Sequence, residues 1–278
     1  MSVPSFHDRD GLRLAYRVDD FTDPWRQPET LILLHSAMSC AARYFAWVPR
    51  LSRQYRVVRL DLRGHGESEV PTPDQPLSVS HLVGDVLELM DKIGCTRAHF
   101  AGASAGGYVA QRMAMEHPEK VLSLGLFGST PGFKSGPGTT WLPQIKEKGL
   151  RNFLAETISD RFPVDKVDPG LVRWFLDQAG GNDPEFMVRF ISLMSQQDWS
   201  DELHRIHCPT LIVIPGLGKI GDNTAYEPMK KNIKDITVNV YEGMPHNVWD
   251  IVPDRCVDDL LAFLQTKFGR PESCARAA

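Results

Sequence analysis

The segment Gly102-Ala103-Ser104-Ala105-Gly106 sets one hydroxyl among residues with little or no side chain. A short apolar run, Ala98-His99-Phe100-Ala101, precedes it, and a helical pattern from Tyr108 to Ala114 follows. This reads as strand, sharp turn and helix with Ser104 at the apex. Glycines beside such a serine let the helix pack close against the strand. The turn brings the hydroxyl out at the carboxyl edge of a sheet, where the first N–H groups of a helix can receive negative charge. The chemistry that suits this arrangement is nucleophilic attack on a carbonyl.

An alcohol needs a base to take its proton, and the base needs a group to orient it. In an alternating strand–helix chain these partners come from loops after later strands. His246, in Glu242-Gly243-Met244-Pro245-His246-Asn247, lies after the last strand and before the final helix. His99 lies within a strand, His35 and His65 end strands in turns, and the other histidines fit helix ends or the surface. For the acid, the loop after the strand Leu211 to Ile214 offers Asp222, its only carboxylate before Glu227. Asp222 is equally suited to cap the helix containing Tyr226 to Ile233, and the two roles are compatible. Glu227 is the second choice and Glu242 the third; Gly128-Ser129-Thr130, after an earlier strand, contains no carboxylate. An oxyanion would rest on the N–H of Ala105 and on that of Ala37, with Met38 as the alternative to Ala37.

The elements that must position these residues follow from apolar patterning. Leu12 to Val18 alternates after Asp10-Gly11 and predicts a hairpin. Leu31 to Leu34, Arg56 to Leu60, Val121 to Phe127, Thr210 to Ile214 and Thr237 to Tyr241 read as strands. Val79 to Ile93 and Pro253 to Phe268 carry helical spacing. Strands alternating with helices predict a mostly parallel sheet covered on both faces. From 130 to 205 the chain turns helical and aromatic, which predicts an inserted helical cap. The expected division is a core of 1–129 and 206–278 with a cap of 130–205. Gly64 and Gly66 make a turn that Asp61 and Arg63 brace, a structural role.

Composition narrows the function. The 278 residues are 42% hydrophobic, enough for a full-sized core. A net charge of −4 with no basic stripe argues against nucleic acid. No apolar run approaches the roughly 20 residues that span a bilayer, and the first residues lack the pattern of a secretory leader. Cysteines 40, 95, 208, 256 and 274 have neither metal-site nor redox spacing, and His204 and His207 have no third ligand nearby. The expectation is a cytoplasmic protein with reduced thiols, no metal, no cofactor and a small-molecule substrate. A homodimer is compatible with the sequence, which leaves the oligomeric state open. The tail from Arg270 to Ala278 is expected to fray.

Taken with Leu33-Leu34-His35-Ser36, Asp61-Leu62-Arg63-Gly64-His65-Gly66-Glu67-Ser68, Cys208-Pro209-Thr210-Leu211 and Pro245-His246-Asn247-Val248, the serine motif resembles the α/β-hydrolase superfamily over nearly the whole chain. Within it the chain is most similar to the 3-oxoadipate enol-lactonase-like lactone and ester hydrolases. The clues are Asp198-Trp199-Ser200-Asp201-Glu202-Leu203 at the end of the cap and Asn-Val directly after the histidine. The resemblance implies the α/β-hydrolase fold, a Ser104–His246 pair and an acyl-enzyme. It departs at the acid: that group carries it about three residues after the glycine equivalent to Gly216, where this chain has Lys219, so Asp222 fits only through a shifted loop. The function expected is cofactor-independent hydrolysis of a small carboxylic ester or lactone. The alternatives are C–C or amide hydrolysis of an aromatic ring-cleavage product, for which Ala103 in place of Asn is a mild contrary sign, and a ligand-binding receptor with weak catalysis. A cofactor-independent oxygenase or perhydrolase is a remoter reading. Of the cap residues Trp141, Phe153, Trp174, Phe175, Phe190, Met194 and Trp199, one or two would face substrate. Arg43, Arg161, Arg173 and Arg189 are the arginines that could hold a substrate carboxylate, and sequence does not choose among them.

Overall fold

A computed structural model of the chain describes residues 3–134 and 136–269; Cys274 and the tail from Arg270 lie outside them. The strands are β1 (Ser5–His7), β2 (Arg13–Asp19), β3 (Thr30–Leu34), β4 (Arg56–Leu60), β5 (Ala98–Ala103), β6 (Val121–Phe127), β7 (Thr210–Pro215) and β8 (Ile236–Tyr241). The α-helices are α1 (Val48–Leu51), α2 (Val79–Lys92), α3 (Ala105–Glu116), α4 (Gly138–Lys148), α5 (Leu150–Glu156), α6 (Pro169–Gly180), α7 (Pro184–Met194), α8 (Glu227–Asn232), α9 (Val248–Ile251) and α10 (Pro253–Phe268).

The strands form one sheet in the order β1-β2-β4-β3-β5-β6-β7-β8. β1 and β2 form the hairpin, and β2 joins β4 antiparallel; from β4 to β8 every pairing is parallel. β3, β5 and β7 are buried along their whole length, as apolar strands covered on both faces must be. One face packs under α2 and α3, with Val86, Leu89, Val109 and Met113 in its core. The other packs under α10 with Trp47, Phe127, Leu260 and Leu264. Because β3 has β4 on one side and β5 on the other, the chain reverses its direction of winding there. The loops after β3 and β5 therefore diverge and open a crevice at their carboxyl ends.

Between β6 and β7 lie α4 to α7, the helical insertion. Its two ends meet as a short neck: Trp199 N–H donates to Pro131 O and Phe133 N–H to Gln197 O, both at 3.0 Å. No described helix is long and apolar enough to cross a membrane.

The turn at 61–68 is braced as its residue types imply. Asp61 accepts the N–H groups of Ala41 and Glu67, and Arg63 pairs with Asp85 and Asp8. Two histidines lie beneath it. Leu62 N–H donates to His35 Nε2 at 3.0 Å, so the ring proton sits on Nδ1 and donates to Ser36 O at 2.7 Å. His35 thereby ties the loop after β3 to the loop after β4. His65 packs against it with ring centroids 5.1 Å apart. Burial lowers the pKa of His35 to about 4; burial and then the adjoining His35 ring, which disfavours a second positive charge, lower His65 to about 3.

Both rings are thus neutral in the folded state, and the unfolded chain takes up protons first as pH falls below about 6.5. Their contribution to stability is complete above that pH and is lost progressively toward pH 4 and then 3. Thermal unfolding followed from pH 7 to 4 should show this loss. A His65→Gln variant should show a shallower slope, by at most about 1.4 kcal/mol per pH unit. An identical slope would mean that the ring is not a buried neutral group.

Candidate active site

Ser104 sits between β5 and α3 with φ 47° and ψ −114°, outside the ordinary regions for an L-residue. Close approach of backbone to backbone explains the turn. A Cβ on Gly102 would come within 2.5 Å of Gly107 Cα, and one on Gly106 would collide with the carbonyl of Leu34 at the end of β3. Among the described residues, Met38 (φ 54°) and Ser104 are the only non-glycine residues with positive φ. Both line the same cavity. Backbone strain of about 1–3 kcal/mol per residue, gathered at one crevice, is a mark of a functional site.

The floor of that cavity is built from the loop after β3 (Ser36, Ala37, Met38), the start of α3 (Ser104, Ala105, Tyr108) and the loop after β8 (His246, Asn247, Trp249). Its roof comes from the insertion, including Trp141, Phe175, Phe190 and Met194. Phe153, Trp174 and Trp199 are not in that lining. Trp199 instead donates its indole N–H to Gln111, and Trp174 packs edge-on to Phe45. The N–H of Ala37 donates to no backbone acceptor among the described residues. That of Ala105 is the first of α3 and has no intrahelical partner. Both line the cavity on the side of Ser104.

His246 reaches the site by its position on Gly128. The ring lies so close that a Cβ at residue 128 would meet its Cε1 at 3.3 Å and Trp249 Cζ3 at 3.2 Å. The carbonyl of Phe127, one residue earlier, accepts the Ser104 N–H at 2.9 Å. The ring therefore packs on the residue that follows the one hydrogen-bonded to the elbow. Trp249 meets it edge to face at 5.2 Å. From below, α9 is held by Trp47 Nε1–H donating to Trp249 O and by the buried pair of Arg43 with Asp250. From above, His246 N–H and Asn247 N–H donate to the carbonyls of Asp160 and Arg161, both at 3.3 Å.

Burial, and then the charge of Arg161, lower the His246 pKa to about 3. The ring is neutral at pH 7 and can accept a proton. No carboxylate contributes to that balance, and no side-chain hydrogen bond to Ser104 Oγ is formed in this state. Catalytic hydrogen bonds are commonly loose before substrate binds.

The acid expected from sequence is not brought to the ring. Asp222 is exposed and accepts the Thr224 N–H at 2.9 Å, capping the short helical turn Asn223–Tyr226. It borders a separate surface depression with Gly136, Pro137 and Lys219. Glu227 pairs with Lys230 at the surface, and exposed Glu242 is absent from the cavity lining. What the loop after β7 does put into the cavity is Ile220. After β6, Ser129 Oγ donates to Ser104 O at 2.9 Å and so supports the elbow from beneath. One residue that matters was not singled out in the sequence: Gly128, whose lack of a side chain admits the imidazole. Met38, named there as the alternative to Ala37, carries strain beside the Ala37 N–H. No group of three or more described His, Cys, Asp or Glu side chains could hold a metal ion.

The comparisons with known proteins agree with this architecture. The sequence model of the family described as alpha/beta hydrolase fold matches residues 29–162. Fold and sequence together show that the chain has the α/β-hydrolase fold. Among proteins of known name, it is 25% identical over 215 residues to 3-oxoadipate enol-lactonase 1 of Acinetobacter baylyi, covering 74% of this chain and 79% of that one. Among solved structures, a hydrolase from Pseudomonas aeruginosa superposes with a TM-score of 0.83 at 26% identity, over 95% of this chain and 98% of that one. The enol-lactonase from Burkholderia xenovorans gives a TM-score of 0.85 at 22% identity, over 94% and 100%.

If Gly128 is what admits the ring, Gly128→Ala should act twice. The left-handed backbone (φ 62°) should cost about 1–2 kcal/mol of stability. The displaced imidazole should slow labelling of Ser104 by a fluorophosphonate at least about tenfold in protein that remains folded. Labelling at the wild-type rate would show that Gly128 does not set the ring.

Proposed function

We propose that the protein is a serine hydrolase of small carboxylic esters or lactones that works through Ser104 and His246. The observation that carries this is the strained serine at the β5–α3 elbow facing one cavity with a neutral, buried imidazole. Ser104 Oγ attacks the carbonyl while His246 takes its proton. The oxyanion is received by the N–H groups of Ala37 and Ala105. His246 then protonates the departing alkoxide, and water, activated by the same ring, hydrolyses the acyl-enzyme. In a lactone the alkoxide stays tethered to the acyl group until that second step. Residues 130–205 act as the cap that encloses the substrate. The apolar roof favours a compact substrate with an apolar body.

His246 is oriented in this reading by packing and backbone: Trp249 at its edge, Gly128 beneath it, and its own N–H on Asp160. Asp222 serves as a helix cap. A second reading, ligand binding with weak chemistry, is favoured by one observation: no carboxylate reaches the ring.

Purified protein assayed against a panel of esters, lactones, amides and ring-cleavage products separates these readings. Turnover of an ester or lactone should fall by roughly 10³-fold or more in Ser104→Ala and in His246→Ala, with folding preserved. Asp222→Asn should stay within about threefold of wild type, because Asn caps a helix as well as Asp does. A 10³-fold loss in Asp222→Asn would restore it as the orienting acid. Ligand binding with no turnover in the whole panel would favour the receptor reading.

A further inference from the structure

Of the four arginines that the sequence left open, Arg161 lines the cavity, Arg173 is exposed outside it, and Arg189 donates to the carbonyls of Pro71, Thr72 and Gln75. Arg43 is used differently. It lies in the short turn Ala41–Tyr44, which follows the loop after β3 and forms a firm mount. Ala41 N–H donates to Asp61 Oδ1 at 2.6 Å, Ala41 O accepts from Arg59 Nη1 at 3.1 Å, and the Tyr44 hydroxyl donates to Leu34 O at 2.8 Å. From this mount the guanidinium meets Asp250 fork to fork, Nε on Oδ1 at 3.0 Å and Nη2 on Oδ2. Both side chains are 1% exposed.

Asp250 carries the fixed point into the histidine loop. Its Oδ2 also accepts from Asn247 Nδ2 at 3.1 Å, and its N–H donates to Asn247 O at 3.0 Å. The turn from His246 into α9 is thereby closed on the carboxylate. Trp249, which meets the His246 ring edge to face, is the residue before Asp250, and Trp47 holds its carbonyl. Above the guanidinium lie two rings of α6, with centroids at 4.7 Å for Phe175 and 5.5 Å for Trp174. Burial pushes the Asp250 carboxyl up, and Arg43 and Asn247 draw it back down. Nη1 of Arg43 is buried with no acceptor among the described residues. A buried ion pair of this kind adds little net stability, since two apolar side chains of the same volume often serve as well. What apolar side chains do not supply is direction, because the fork fixes distance and angle together.

We propose that the Arg43–Asp250 pair positions His246, in the place that a carboxylate on the ring would otherwise take. The proposal rests on the serine-hydrolase reading above and supplies its orienting device. Neither residue lines the cavity, and neither contributes to the charge balance of the ring. Both are positioning residues that act through Asn247 and Trp249. The carboxylate holds the turn, the turn holds the indole, and the indole and Gly128 hold the imidazole between them. Because Arg43 is mounted on the segment after Met38, the pair also ties the base to the side of the crevice that carries the Ala37 N–H. Loss of the pair should therefore slow proton transfer more than it weakens binding.

The test places Arg43→Met and Asp250→Leu in one chain. Removing one partner strands a buried charge, whereas replacing both leaves none, so the double variant is the one expected to fold. Its Ser104 should be labelled by a fluorophosphonate about 10- to 100-fold more slowly than that of the wild type. With 4-nitrophenyl butyrate the loss should fall on kcat, with KM within about threefold. Arg43→Lys keeps the charge but not the fork and should lie between the two; it carries the comparison if the double variant does not fold. Labelling at the wild-type rate in the folded variants overturns the proposal. A second measurement needs no chemistry at Ser104. Burial and the charge of Arg161 hold the His246 pKa at about 3, so NMR of labelled histidine should show a neutral ring down to about pH 5 in the wild type. In the variants a ring that has left its seat is hydrated and should titrate closer to the ordinary value of about 6.5. Slower labelling with an unmoved ring titration overturns the proposal, because a loss of stability alone would look the same. If the wild type is not labelled yet the ring titration moves in the variants, the positioning stands and the hydrolase reading falls. If the wild type is labelled and the variants match it, the positioning falls and the hydrolase reading is untouched.

Discussion

The site depends on how close three stretches of backbone come at the β5–α3 elbow. Gly102 touches Gly107, Gly106 touches the end of β3, and Gly107 packs on the side chain of Ser129. Any Cβ at these contacts would push α3 off the sheet. The serine would then lose both its projection and its place beside the loop after β3. That loop is in turn held by His35, whose two ring nitrogens bridge Ser36 and Leu62. Strain at Ser104 and Met38 accompanies the placing of a hydroxyl and an N–H group at one small crevice. The rest of the sheet, apolar and buried on both faces, is the rigid body against which this strain is maintained.

The electrostatics of the cavity are as unusual as its backbone. A neutral imidazole and a guanidinium line one cavity with aromatic side chains; Asp160 acts on the guanidinium through space, and no carboxylate contributes to the balance of the ring. In a medium of low polarity each charge is felt strongly by the other. The arrangement accepts a proton reluctantly while it is unliganded and gains from any negative charge that enters.

Much of the architecture was legible in the sequence because it follows from local rules. β3, β4 and β6 were readable as apolar runs, and α10 as a helix from Pro253 to Phe268. β5 was readable only as far as Ala101, since Gly102-Ala103 has the composition of a turn although its backbone still pairs with β6. Ser104 stood out through the glycines it requires, and His246 through its place after the last strand. The orienting acid was not legible. The loop after β7 contains a carboxylate, but Asp222 is spent on the Thr224 N–H, and a local capping bond of this kind competes with any distant partner. Which of the four arginines lines the cavity, Arg161, was not legible because it depends on how the insertion folds back over the sheet. Gly128 was passed over because its role depends on an imidazole more than a hundred residues away.

The two 3.3 Å bonds from the histidine loop to the carbonyls of Asp160 and Arg161 join the insertion to the machinery beneath it. A displacement of residues 160 and 161 away from the floor would act on residues 246 and 247. Either those bonds part, and His246 loses one of its restraints, or the loop travels with the roof and the ring leaves Gly128. The seat of the ring on Gly128 and the position of residues 160 and 161 are thereby linked through two backbone bonds.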